Sequence, residues 1–256
     1  MLLADPLIAT RCDWLDGMGR SLDVAGLVNA RDLGGLARRD GTFTPTGVFY
    51  RSENVDWITP ASWAQVRAAG IRTVVDLRQP GERARDTNPR PDWLTTVHVD
   101  LDNLADSEFW AGYWDNGLVG TALYYLPHLA RMPERSVAAL TAILRAGDGG
   151  VLFHCMSGRD RTGMISLLLL AAVDTEPEAI VGDYLATVRL GVAPGAALGR
   201  TNPEPLATEI CARHGTTTEG AFRAALAGLD LATVLTAGGM TQADQAALRT
   251  WRGAIT

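Results

Sequence analysis

HCMSGRDRTG, residues 154–163, is the stretch around which the chain is organised. The apolar run Val151-Leu152-Phe153 leads into it and reads as a buried strand. MISLLLLAAV, Met164 to Val173, leads out of it and reads as a helix that is apolar all round, hence buried. A strand, a glycine-bearing loop and a helix N-terminus together make an anion site. Backbone N–H groups converge in the loop, and the helix dipole adds partial positive charge. Cys155 opens the loop and Arg161 closes it, so a nucleophile and a guanidinium face one anion. That pairing points to covalent phosphoryl transfer through a cysteine.

Each loop residue has a physical job. Cys155 must attack as a thiolate, which helix N-termini and nearby cations favour. His154 is expected to fix the cysteine through backbone hydrogen bonds rather than act as a base. Met156, Ser157, Gly158, Arg159, Asp160 and Arg161 form the phosphate-binding loop, and Gly158 supplies the turn. Arg161 offers a planar fork matched to two phosphoryl oxygens. Thr162 can donate to the departing sulfur or cap the helix. A proton donor for the leaving oxygen is needed, and there are two candidates. Asp160 lies in the loop, where a neighbouring anion raises a carboxyl pKa and suits an acid, or where it could instead pair with an arginine and order the loop. Asp76 ends the strand IRTVVDL, and strand ends are where ligands gather in α/β sheets.

Composition narrows the function classes. The formal net charge of −6 gives no general attraction to nucleic acid or to anionic membranes. Hydrophobic residues make up 47% of the chain, enough for a full core, yet no apolar run approaches the length that spans a bilayer. Three cysteines do not suggest a disulfide framework, and the N-terminus lacks the features of a secretory leader, so a cytoplasmic protein is expected. All 23 basic side chains are arginine. Cys211 and His214 lie one helical turn apart but lack two further ligands at metal spacing. Arg31, Arg38 and Arg39 make a small basic cluster, expected on a solvated face.

Read in order, residues 1–21 look like an irregular lead-in to a single α/β domain spanning residues 1–256. Leu27–Asn54 reads as two short strands joined by a Gly-rich turn region. Thr59-Pro60 should start a helix that stops near Gly70. Ile71–Leu77 and Leu94–Leu101 read as strands, and the aromatic-rich segment from Asn103 to Pro127 as one or two short helices, either core or lid. Arg135–Gly147 has helical periodicity. Thr175 and Glu178 have capping-box spacing. Residues 203–215, 219–235 and 241–253 suggest three more helices. Strands and helices in this order predict an α/β fold with a largely parallel sheet, a helical lid and a helical C-terminal third.

At this point the chain resembles a known family, the bacterial tyrosine/serine phosphatases, whose loop typically reads HCxxGKDRTG. Arg159 replaces the usual lysine. The resemblance extends to NARDLGGL (Asn29–Leu36), to GVFYRSENV with Arg51 and Ser52, to VVDLRQPGE with Asp76, Arg78 and Glu82, and to Asp174–Thr187. It implies a phosphatase α/β fold with mobile helical lids, Asp160 or Asp76 as acid, and no metal or other cofactor. Phosphotyrosine protein is the first expected substrate, with phosphoserine or phosphothreonine as a side activity. A phosphoinositide is the second, because Arg159 could serve an additional phosphate. Two other classes share parts of the pattern: an inactive phosphate-binding module, and a rhodanese-like sulfurtransferase. The latter closes its loop with arginine where this chain has Asp160.

Overall fold

The computed structural model describes residues 19–114, 116–197 and 203–255. Five strands form one sheet: β1 (Arg31–Asp32), β2 (Phe49–Ser52), β3 (Ile71–Asp76), β4 (Thr95–His98) and β5 (Gly150–His154). Their order is β1-β2-β5-β3-β4, with β2, β5, β3 and β4 parallel and β1 antiparallel to β2. Helices flank this sheet: α1 (Trp63–Ala68), α2 (Pro80–Arg83), α3 (Ser107–Tyr113), α4 (Tyr125–Arg131), α5 (Pro133–Leu144) and α6 (Asp160–Ala171). After them come α7 (Pro177–Ala197), α8 (Glu204–Arg213), α9 (Thr218–Ala227), α10 (Leu231–Ala237) and α11 (Gln242–Arg249). This is the α/β fold with a largely parallel sheet that the sequence predicts.

The central strands β3 and β5 carry buried apolar side chains on both faces, as strands covered by helices on each side require. Side chains alternate along them. Phe49, Val75, Val151 and Phe153 face a large core with Met164, Ile165 and Leu168 of α6. Tyr50, Val74 and Leu152 face a second core with Val55, Trp63 and Val66. Truncating Leu168 to alanine would cost about 2–5 kcal/mol. In register, Ser52 lies beside His154, His154 beside Asp76, and Asp76 beside His98. The C-terminal ends of four parallel strands therefore lie in a row, where α/β folds build their sites.

Several boundaries differ from the sequence expectation. The buried helix starts at Asp160 rather than Met164, so Asp160, Arg161 and Thr162 already form its first turn. The first helix begins at Trp63, while the Thr59 hydroxyl accepts from the Ser62 amide in the turn before it. The expected helix over residues 219–235 is two, α9 and α10. Gly228 ends the first, and Asp230 caps the second by accepting from the Thr233 amide. The capping box at Thr175 does not form: among the described residues its buried hydroxyl has no hydrogen-bond partner, and Glu178 pairs with Arg223. The basic cluster does not form either. Arg31 is fully buried, Arg38 donates to the Val173 carbonyl and Arg39 is exposed.

The aromatic segment folds as α3, two 3-10 turns (Leu118–Gly120 and Ala122–Tyr124) and α4. Phe109, Trp110, Tyr124 and Tyr125 are buried in the main core. Most of the lead-in, residues 1–18, lies outside the described residues. Among the described residues no single helix is long and apolar enough to cross a membrane.

Candidate active site

The loop from Cys155 to Arg159 is held by its carbonyls. His154 Nδ1 meets the Cys155 carbonyl at 3.0 Å, and since a carbonyl can only accept, Nδ1 carries the hydrogen. The Asn54 amide and Nδ2 donate to the Met156 carbonyl at 2.9 and 3.1 Å. Asn29 Nδ2 donates to Ser157 at 3.2 Å, Arg51 Nη2 to Gly158 at 2.7 Å, and the Tyr125 hydroxyl to Arg159 at 3.3 Å. Each carbonyl is drawn outward. In a trans peptide the next N–H points the opposite way, so the amides of 156–160 turn toward the inside of the loop. Among the described residues these amides have no protein acceptor. Gly158 makes the turn at φ +71°, and a Cβ there would stand 2.5 Å from the Ser52 carbonyl oxygen.

The donors that pull on the loop are themselves anchored by Asp183 of α7. Its carboxylate accepts from Arg20 (2.5 Å), Arg31 (2.9 Å) and Arg51 (2.6 Å), all of them buried. Arg51 carries the tie on to Gly158. Arg31 carries it to the Asn29 side chain at 2.5 Å, and Asn29 holds Ser157. Burial opposes charge on Asp183, but Arg31, Arg51 and Arg20 outweigh it and hold the carboxyl far below the ordinary range. Three arginines thus share this one carboxylate directly behind the loop.

Cys155 is buried at the end of β5, its thiol unpaired by any disulfide. Arg161 reaches back over the loop from α6 and is gripped by two carboxylates. Glu82 of α2 takes both guanidinium ends, at 2.5 and 2.8 Å, and Asp102 takes Nη1 at 2.8 Å. Thr162 is buried in the first turn of α6, and among the described residues its hydroxyl has no hydrogen-bond partner.

Three aspartates surround this centre in different states. Asp76 accepts two bonds from the Arg78 guanidinium, at 2.9 and 2.8 Å, and one from the Arg78 amide at 3.0 Å, and lies 3.9 Å from His154 Nε2. Burial works against its charge, yet the Arg78 bonds and His154 lower its pKa overall. That is the state of an anchor rather than a proton donor. Arg78 also grips Asp56 at 2.5 Å and touches the Met156 sulfur, so the anchor steadies the loop. Burial keeps His154 neutral by lowering its pKa, against Asp76 and the Cys155 carbonyl. Asp160 is pushed upward, chiefly by burial, against the pull of Arg159, Arg161 and Arg51, and its Oδ1 lies 3.5 Å from Arg159 Nη1 as an ion pair. Asp102 is pushed up to about 6, first by burial, which exceeds the pull of Arg161.

Arg159 turns to other work. Its guanidinium meets Glu204 at the start of α8, with Nε 2.8 Å from the carboxylate, and donates to the Gly120 carbonyl. It lies over the Tyr184 ring and is buried. The structure thus gathers Cys155, Asp160, Arg161, Thr162 and His154 at one end of the sheet, with Asp76 engaged beneath them. Cys211 is buried on α8, and His214, the residue that ends this helix, is exposed.

Asp102, Glu82, Asn29, Arg51, Asn54 and Asp183 take parts in this site that the sequence reading leaves unassigned. The strand-end rule that singled out Asp76 applies equally to Asp102, which follows β4.

A strand-end cysteine, an inward-facing amide loop and an arginine on the following helix form a cradle suited to an anion beside a thiol. The sequence profile of the tyrosine phosphatase family matches residues 22–251, and the chain belongs to this family. A protein named as a tyrosine-protein phosphatase in Cupriavidus necator is 32% identical over 162 residues, 61% of this chain and 59% of that protein. The triple specificity protein phosphatase PtpB of Mycobacterium tuberculosis is 28% identical over 191 residues, 64% of this chain and 67% of its own length. The chain thus spans less than two thirds of the Cupriavidus relative. A solved structure of P. aeruginosa TpbA in complex with phosphotyrosine aligns over 76% of this chain and 87% of its own, with 15% identity and a TM-score of 0.32.

Proposed function

We propose that this chain is a phosphoric monoester hydrolase acting on phosphotyrosine in proteins, through a phosphocysteine intermediate. The observation that carries the reading is the loop whose carbonyls are all drawn outward around Cys155, under a positively charged arginine cluster. The Cys155 thiolate attacks phosphorus and the P–O bond to the tyrosyl oxygen breaks. Asp160 gives its proton to that oxygen. Arg161 and the loop amides hold the phosphoryl oxygens, whose charge grows in the transition state. Water then attacks the phosphocysteine, the Asp160 carboxylate takes the water's proton, and the thiolate leaves with the Thr162 hydroxyl donating to sulfur. Phosphoserine and phosphothreonine fit the same steps with poorer leaving groups.

A second reading of the acid is favoured by one observation: Asp102, at about 6, touches the guanidinium that would hold the phosphoryl group. A phosphoinositide is the alternative substrate. The Arg159–Glu204 pair supports phosphotyrosine over it, because the loop's extra cation already has a carboxylate partner. The Asp160 carboxylate fits poorly with an anionic persulfide donor, which weighs against a sulfurtransferase. A reducing, cytoplasmic compartment suits an enzyme that needs its thiolate unoxidised. The test is a kinetic panel of phosphotyrosine peptide, phosphoserine peptide and phosphoinositide, with Cys155→Ser as control. Turnover of the tyrosine peptide that is lost in the variant supports the reading; turnover kept in the variant removes it.

A further inference from the structure

At the N-terminal end of the sheet, away from Cys155, three arginines gather around neutral partners. Arg72 follows Ile71, which pairs with Gly150 at the start of β5, about 16 Å of strand before Cys155. Its Nη1 donates to the Arg67 and Ile71 carbonyls at 2.8 and 2.9 Å. Its side chain also lies against Gly149, where a Cβ would stand 2.6 Å from Arg72 Cγ. The Gly149 carbonyl in turn accepts from Arg252 Nη1 at 3.0 Å. Arg252 Nη2 donates to the Ala146 and Gly147 carbonyls at 2.7 and 2.6 Å. Arg67, exposed on the last turn of α1, shares one indole with Arg72: the two guanidinium carbons lie 5.6 and 6.0 Å from the Trp93 ring centroid.

A carbonyl accepts a hydrogen bond without cancelling charge, and a guanidinium over an indole keeps its in-plane N–H groups for a further partner. The carboxylates nearby do not neutralise the group. Asp244 is held by Arg145, and Asp148, next to Gly149, acts on Arg252 through charge alone. Among the described residues neither Asp92 nor Asp148 forms an ion pair with Arg67, Arg72 or Arg252, and the Arg67 side chain donates no hydrogen bond. In a chain with 23 basic and 29 acidic side chains, that grouping is a local exception.

We propose that Arg67, Arg72 and Arg252 form a docking surface for a short acidic segment of a partner protein, at the end of the molecule away from Cys155. Net charge selects among anions. At physiological salt a charge is felt over about 8 Å, so a narrow run of carboxylates meets the patch alone. A membrane or a nucleic acid is a wide anion and also meets the net charge of −6 on the chain. Guanidinium forks match carboxylates, two donors to two oxygens, and Arg67 offers a whole fork.

The test titrates the full chain into fluorescein-labelled hexaglutamate and follows anisotropy. The wild type should bind, and the affinity should fall several-fold as salt rises from about 50 to 200 mM. Arg67→Glu should keep the thermal midpoint and its hydrolysis of p-nitrophenyl phosphate while losing at least about 5-fold in affinity for the peptide. Arg67→Gln, which removes the charge without reversing it, should lose about 2- to 3-fold. Arg213→Glu, at an exposed position at the end of α8, changes net charge equally and should leave binding within about 2-fold. Absence of wild-type binding would overturn the proposal, and so would unchanged affinity in both Arg67 variants. An equal loss in Arg213→Glu would also overturn it, by showing diffuse attraction rather than a patch. Vesicles of phosphatidylserine and phosphatidylcholine are sedimented with the same proteins; wild-type binding to them that Arg67→Glu abolishes, without binding to the peptide, would assign the patch to a membrane instead.

Discussion

Asp102 Oδ2 lies 2.8 Å from Nη1 of Arg161, so a carboxylate from the segment after β4 grips the guanidinium that closes the loop after β5. Glu82 grips the same guanidinium through both of its ends. The side chain that must meet an incoming dianion is thus oriented beforehand by two anions, in the manner of a preorganised site.

The first prediction concerns that grip. Asp102 is raised to about 6, so it is neutral below that pH and holds Arg161 as an anion above it. For stability the sign is clear: a raised folded pKa contributes fully below the ordinary carboxyl value and is lost as pH rises through about 6. In Asp102→Asn, Arg161 has one tether fewer, and KM for a phosphotyrosine peptide should rise about 3- to 10-fold through added side-chain freedom. The ionisation near pH 6 in the kcat/KM profile should disappear. A profile that keeps it would assign that ionisation to another group.

The acid is separated by leaving groups. Asp160→Asn should lower kcat about 10²- to 10⁴-fold on phosphoserine peptide, whose alkoxide needs a proton. The loss should be much smaller on p-nitrophenyl phosphate, whose leaving group departs unprotonated. The same contrast appearing in Asp102→Asn and not in Asp160→Asn would transfer the role to Asp102.

Asp183→Asn should both destabilise the fold and loosen the loop. Removing one member of a buried charge cluster costs about 3–5 kcal/mol, and here three arginines would lose their shared anion. Because the Asp183 carboxyl is held far below its ordinary value, its contribution is present above that value and is lost as pH falls. Acid unfolding of the wild type and the variant, followed by circular dichroism, should converge at low pH. Parallel curves would show that Asp183 carries no such linkage.

Glu204 sets the availability of Arg159. Glu204→Gln removes the charge that pairs with this guanidinium, and kcat/KM on a phosphoinositide should rise relative to a phosphotyrosine peptide. An unchanged ratio would show that Arg159 has no part in choosing between them.

Much of this site is legible in the sequence because the loop is contiguous. One strand, five residues and one helix turn bring Cys155, Asp160, Arg161 and Thr162 together by local geometry. Gly158 is legible for the same reason, since a tight turn needs a positive φ. What stays hidden depends on contacts across long separations. Asp183 and Arg31 are 152 residues apart in the chain, and nothing local to either tells that they meet. Arg31 therefore reads as a surface cation until tertiary packing buries it. The true start of α6 is hidden too, because residues 160–163 are polar or small and lack helical periodicity. The antiparallel β1 is only two residues long, too short for alternation to mark it.

The phosphocysteine itself is the most direct test. Wild-type protein mixed with a phosphotyrosine peptide and quenched in acid within the first turnovers should carry one phosphoryl group. Peptide mapping by mass spectrometry should place that group on Cys155, and Cys155→Ser should show neither the adduct nor turnover. Peptide hydrolysis with no phosphoryl group on Cys155, and with activity surviving in Cys155→Ser, would contradict the mechanism.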